Sequence, residues 1–195
     1  MRLGEILFFS PKFRFCDLDL GDPGNVLDAF QDRVRSFYLD PARQLLNQSA
    51  AFAAGLVCIC CIDFLARYGP PSRQESRIAE WLEQRIPEFR DEDPADPKRT
   101  LAKRFTKHFR NGLVHEGRIK RLGQFSLSHK EFIQIVGPAM MVHPGRLLDA
   151  VCRGFDEYCR ELATNEDGAY ERLVSQLRKD FGDEIAASVA EDTSG

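Results

Sequence analysis

The stretch Phe109-Arg110-Asn111-Gly112-Leu113-Val114-His115-Glu116-Gly117 decides how this chain is read. It sets an arginine, the asparagine after it and a histidine four positions further on near the end of a predicted helix, Lys98 to Val114. With 3.6 residues per turn, Asn111 and His115 stack on one face, and Arg110 lies about 100° around from Asn111. One short segment thus aims a permanent cation, an amide and a titratable imidazole into one small volume. Those are the groups that metal-free cleavage of a phosphodiester calls on.

The same helix predicts its own anchor. Leu101, Phe105, Phe109 and Leu113 follow an i, i+4 line and form an apolar stripe, while Arg104, His108, Asn111 and His115 follow a neighbouring line. Between Lys98 and Arg121 the only acid is Glu116, so a basic band surrounds the segment. Lys103, Arg104, Lys107 and Arg118 are candidates for steering a phosphate backbone, with His108 as a further RNA contact. The plain alternative is a solvated helix face whose Arg110 and His115 cap carbonyls at the negative end of the dipole.

Composition sets the frame. The 195 residues are 43% hydrophobic, with a formal net charge of -3, which fits a single globular domain and argues against bulk-charge coating of nucleic acid. Met1 to Leu20 lacks a basic stretch followed by a long apolar core, so no secretory leader is expected, and six cysteines are read as reduced thiols of a cytoplasmic protein. The apolar run Ala51 to Ile62 is too short to span a bilayer and stops at Asp63. No cluster of histidines, cysteines and carboxylates has metal-ligand spacing, so neither metal nor cofactor is expected.

Outward from the segment, the pattern is mainly helical: five to six helices in a bundle, with a small β-hairpin over 118–143 inserted after the motif helix. Residues 1–24 read as extended segments, 25–165 as the helical core and 166–195 as a C-terminal helix. Val26, Leu27, Phe30, Val34 and Phe37 recur at helical spacing, with Asn25 as cap and Pro41 as break. A long helix from Ala42 to Tyr68, apolar on nearly every side at its centre, belongs in the middle of the bundle. Cys58 and Cys61 form a C-x-x-C there, read as small core residues. Asp63 is the odd acid in that helix; it either faces solvent or has a partner such as an arginine, and it is a candidate support for the site.

A third helix covers Ser72 to Ile86. The acidic, proline-rich stretch from Pro87 to Pro97 reads as a mobile surface loop, with Asp96 capping the motif helix. Pro144 opens a fifth helix to about Ala163, and Ala169 to about Ala190 forms a last, more charged one. His129 and His143 read as ordinary loop residues.

An arginine followed by asparagine, with a histidine four to six positions on at the end of a bundle helix, is the R-x4-6-H signature of the HEPN superfamily. The chain resembles that family at Arg110-Asn111-Gly112-Leu113-Val114-His115. The apolar helix with Cys60-Cys61-Ile62-Asp63-Phe64-Leu65, and the hairpin followed by His143-Pro144-Gly145-Arg146-Leu147-Leu148, resemble the stand-alone bacterial members, including the Apea-like group. The resemblance covers about residues 25–165. It implies a two-fold dimer with both motifs at the interface. Many members are metal-independent endoribonucleases serving as toxins of toxin–antitoxin pairs or in defence against phage; others are binding modules.

The chemistry can be read from the residues themselves. The ribose 2′-hydroxyl attacks the adjacent phosphorus, leaving a 2′,3′-cyclic phosphate and a 5′-hydroxyl. An imidazole such as His115 suits either proton transfer, and Arg110 suits the charged pentacoordinate centre. Asn111 would orient His115 or hold a phosphate oxygen. Taken with what the resemblance implies, the expected function is an RNA-cleaving homodimer, with an antitoxin or regulatory protein as a further partner. The competing reading is a non-catalytic helical dimer that binds a nucleotide, an RNA or a protein.

Overall fold

The computed structural model describes residues 2–3, 6–70, 74–120 and 122–192, and the fold is mainly helical with small sheets. The chain gathers into two compact units, Met1–Phe37 with Asp156–Gly195, and Tyr38–Phe155.

In the first unit, β1 (Arg2–Leu3) pairs antiparallel with β2 (Ile6–Leu7), and a 3-10 turn at Phe15–Asp17 leads to α1 (Pro23–Val34). The cap of α1 is Asp22, not Asn25: its carboxylate accepts from the backbone N–H of Gly24 and Asn25, with Pro23 in the first turn. Asn25 instead ties down the preceding loop, accepting from the Asp19 N–H and donating to the Asp17 carbonyl. The C-terminal helix α8 (Ala169–Asp192) buries Leu173 and Leu177 and bends at Phe181. There the Arg33 guanidinium lies over the rings of Phe9, Phe37 and Phe181 at 4.8–5.2 Å and donates to the Phe9 carbonyl.

In the second unit, the expected helix 42–68 is two helices, α2 (Asp40–Asn47) and α3 (Ala51–Ala66). The polar trio Asn47-Gln48-Ser49 ends the first. Ser49 takes a positive φ of 58°, Ala50 N–H returns to the Leu45 carbonyl, and Ser49 N–H returns to Leu46, a Schellman closure. Before α2, a π turn at Arg35–Leu39 carries the chain into Pro41, which sits harmlessly in the first turn of α2. α3 is buried on most sides, as its composition requires, and packs on α2 and on α4 (Gln74–Arg85). The expected start of the third helix at Ser72 lies outside the described residues.

Cys58 and Cys61 are buried core thiols, and burial pushes the Cys58 thiol up to about 12.

Residues 87–97 are not a mobile loop. They form a 3-10 turn at Pro87–Arg90, then the antiparallel pair β3 (Glu92–Asp93) and β4 (Asp96–Thr100). Because β4 runs to Thr100, the motif helix begins later than expected, and Thr100 rather than Asp96 caps α5 (Leu101–Phe105). A π turn at Thr106–Arg110 follows, then α6 (Asn111–Glu116).

The region after α6 is a three-stranded sheet, β5 (Gly123–Phe125), β6 (Ile133–Val136) and β7 (Ala139–Val142), in the order β5-β7-β6. The hairpin expected there is β6–β7; β5 joins it in parallel. α7 (Pro144–Thr164) follows, burying Leu147, Leu148 and Val151.

A line of aromatic rings joins these pieces. Phe132, Phe89, Phe105, Phe109 and Phe125 touch in succession at centroid distances of 5.7, 5.1, 4.7 and 5.2 Å. Two of them belong to the stripe predicted for the motif helix, and all are buried. Truncating the ring that joins the motif helix to β5, Phe109→Ala, is expected to cost about 3–5 kcal/mol in denaturant unfolding. The half-exposed Phe52→Ala is expected to change stability by no more than about 0.5 kcal/mol.

Candidate functional site

The motif lies on the helical run α5–π–α6, with Arg110 the last residue of the π turn and Asn111 the first of α6. Asn111 N–H bonds the Thr106 carbonyl five residues back, the longer loop of a π turn, a feature common at functional sites. The His108 carbonyl receives the N–H of Lys120 from the returning chain. Gly112 permits that return: a Cβ there would overlap the Arg118 carbonyl oxygen, and Arg118 N–H bonds the Gly112 carbonyl. Gly117 closes α6 with φ of 64°, its N–H reaching Gly112 and Leu113 carbonyls.

Arg110 is held from α3. Its Nη2 and Nε donate to Asp63 Oδ2 at 2.8 and 3.3 Å, and its Nη1 donates to Asn111 Oδ1 at 3.2 Å. Asp63 therefore has the arginine partner that a carboxylate in an apolar helix calls for, and it orients the guanidinium. The Arg110 side chain is 13% exposed and that of Asp63 is 30% exposed. The backbone of His115 lies within α6, one turn beyond Asn111, and its side chain lies outside the described portion.

The face presented to solvent differs from the expected one. Arg104 (2% exposed) and His108 (3%) are in the core, so neither faces an RNA backbone. The exposed or half-exposed line is Lys103, Lys107, Arg110 and Asn111, at i, i+4, i+7 and i+8. It runs about one residue around the helix from the line that spacing alone picked out. The acidic stretch and the β6–β7 turn close over the other side. Asp93, fully buried, accepts from Arg104 Nη1 and Arg99 Nε, each at 2.7 Å, and Arg104 Nη2 donates to the Pro138 carbonyl at 2.7 Å.

The basic band is accordingly thinner than its sequence count. Arg99 and Arg104 meet Asp93, Arg110 meets Asp63, and Arg118 and Lys120 meet Glu116 at 3.0 and 2.5 Å. Arg118 stays exposed while paired. Among the described residues, no group of three histidines, cysteines or acidic residues is placed to hold a metal ion, and no helix is long and apolar enough to cross a membrane.

No family model, curated protein or solved structure matches the chain.

Sequence reasoning missed Asp93, Gly112 and the cap at Thr100. Asp93 carried no signal among four neighbouring acids, since its partners are set by the β3–β4 turn. Gly112 did carry one: a glycine inside a helix costs about 1 kcal/mol relative to alanine and calls for a packing reason.

Asp93 gives a direct test of this arrangement. Burial raises its carboxyl, but the Ala95 N–H and then Arg99 and Arg104 hold it, on balance, below the usual carboxylate range. Stability from this group is present above the ordinary aspartate value, about 3.9, and is lost as pH falls through the lower native value. Asp93→Ala is expected to destabilise by about 3–5 kcal/mol in thermal or denaturant melts, because it strands the buried Arg104. The exposed neighbours, Asp91→Ser and Glu92→Ser, are expected to stay within about 0.5 kcal/mol.

Proposed function

We propose that this chain is a metal-independent endoribonuclease of the HEPN type, acting in the cytoplasm as a homodimer and serving as a toxin or phage-defence effector under an antitoxin or regulatory partner. The observation that carries the reading is the line Lys103–Lys107–Arg110–Asn111, exposed at the two lysines and partly covered at Arg110 and Asn111, with Arg110 oriented by Asp63. Two lysines one helical turn apart lead a polyanion toward a guanidinium whose direction is fixed in advance.

In this reading Arg110 stabilises the pentacoordinate phosphorane and Asn111 positions a phosphate oxygen or the imidazole. His115 transfers protons to or from the ribose and leaving oxygens. Two protomers would supply two histidines, one as base and one as acid. Asp63 acts through Arg110 and is a positioning residue.

The second reading, a non-catalytic dimer that binds a nucleotide, an RNA or a protein, draws on the same ion pair. Arg110 is mostly covered and charge-matched, as an arginine serving structure alone would be.

Purified protein is expected to cleave structured RNA in excess EDTA, and His115→Ala, verified as folded, is expected to lose at least about 100-fold in rate. Asp63→Asn is expected to lower the rate with a smaller change in RNA affinity, because it loosens the orientation of Arg110. Folded wild-type protein that cleaves none of several RNAs, and that leaves growth unchanged when expressed alone, would transfer the case to the binding module.

A further inference from the structure

His143 and His129 are not ordinary loop residues. His143 immediately precedes Pro144, and its Nδ1 accepts the backbone N–H of Gly145 and of Arg146, both at 3.2 Å. Its carbonyl accepts the first helical bond, from Leu147 N–H at 3.0 Å. An imidazole thus occupies the N-cap position of α7, where serine, threonine, aspartate or asparagine usually stands. Against it, from the connection between β5 and β6, lies the ring of His129, with centroids 5.8 Å apart and planes tilted by 34°. Both ring nitrogens of His129 are shielded from solvent, with no hydrogen-bond partner among the described residues.

We infer that the His143–His129 pair is a proton-operated cap, which holds the first turn of α7 at neutral pH and releases it on acidification. Nδ1 accepts two N–H groups only while its lone pair is free, so the neutral ring carries its proton on Nε2. Protonation converts the acceptor into a donor facing two donors. It also sets a positive charge at the positive end of a 21-residue helix. The same tautomer argues against the pair as a metal clip, since the one lone pair of His143 is already committed to the cap.

The surroundings of His143 are mostly unfavourable to charge. Burial comes first, and His129 and Arg146 add to it; a hydrogen bond to its own backbone and then Asp149 oppose, and on balance His143 is held below the ordinary histidine value. Asp149 is itself engaged by Arg43 of α2 at 3.2 Å, and the α2 residue nearest the cap at Gly145 is the apolar Leu46. Lys130 and Glu131 flank His129 in its connection. The unfolded segment binds a proton more readily than the native cap, so the stabilisation is complete above about pH 6.5 and declines as pH falls toward the lower native value.

The cap also closes the sheet behind the motif. His143 N–H bonds the Phe132 carbonyl, and Ser126 N–H bonds the Val142 carbonyl at the end of β7. β7 pairs with β5, whose Phe125 ring rests on Phe109 of the motif helix.

The test is amide hydrogen exchange of the full chain, read as protection factors for Gly145 and Arg146, with the histidine titrations followed by NMR. Between about pH 7.5 and 5 the wild type is expected to lose roughly fivefold protection at these two amides, the size of a lost N-cap. His143→Asn, a cap that does not titrate, is expected to keep its protection across the range. His129→Gln is expected to raise the His143 midpoint. Protection that is independent of pH in the wild type, or that falls equally in His143→Asn, would overturn the inference. These readouts are independent of RNA cleavage.

Discussion

A guanidinium cannot be taken out of water without a counter-charge, and the motif helix takes Arg104 almost wholly out of water. That constraint organises the unit around it. The chain from Pro87 to Thr100 folds into a 3-10 turn and a strand pair that deliver the buried Asp93 to Arg104 and Arg99, and Pro138 adds a carbonyl from the β6–β7 turn. With that side of the helix closed, the solvent arc narrows to Lys103, Lys107, Arg110 and Asn111. The second ion pair, Asp63 with Arg110, then ties the arc to the apolar helix behind it. Both charges that lean inward are matched, and the candidate site joins the matched Arg110 to the two lysines left outside.

The parts of the fold that depend on apolar periodicity were legible in the sequence. The stripe Leu101, Phe105, Phe109, Leu113 is buried as its spacing requires, and α3 is a core helix because no polar arc is available to face water. The β6–β7 hairpin and α7 were legible for the same reason. Pairings across long separations were not. The sequence left Asp63 either facing solvent or paired; an acid 47 residues before Arg110 carries no address. Asp93 announced nothing, being one of several acids in a stretch rich in proline. Charge counting over a window of sequence therefore overstated the basic band, since neutralising acids arrive from outside it.

The candidate site was half legible. Arg110 and Asn111 are brought together as expected, whereas Arg104 and His108 are not on the working face. Helical spacing ranks residues by angle, and it cannot say how wide the buried arc is. That width is set by what closes over the helix, here β3–β4 and the sheet. The caps show the same limit. Thr100 displaced the residue expected to cap because β4 runs up to it, and Asp22 displaced Asn25 because Pro23 already opens the helix. His143 lay in the one position where a proline at the helix start should have drawn attention.

What unites the geometry with the proposed function is the route that RNA cleavage takes without a metal. Attack by the neighbouring 2′-hydroxyl fixes the nature of both new ends, whichever histidine serves as base. The most direct measurement is therefore the chemical identity of the ends of RNA cut by the purified wild-type protein. The account predicts 2′,3′-cyclic phosphate on one fragment and a 5′-hydroxyl on the other, formed at an unchanged rate with chelator present. Fragments ending in 3′-hydroxyl and 5′-phosphate would contradict it, because water rather than the ribose would then have been the nucleophile.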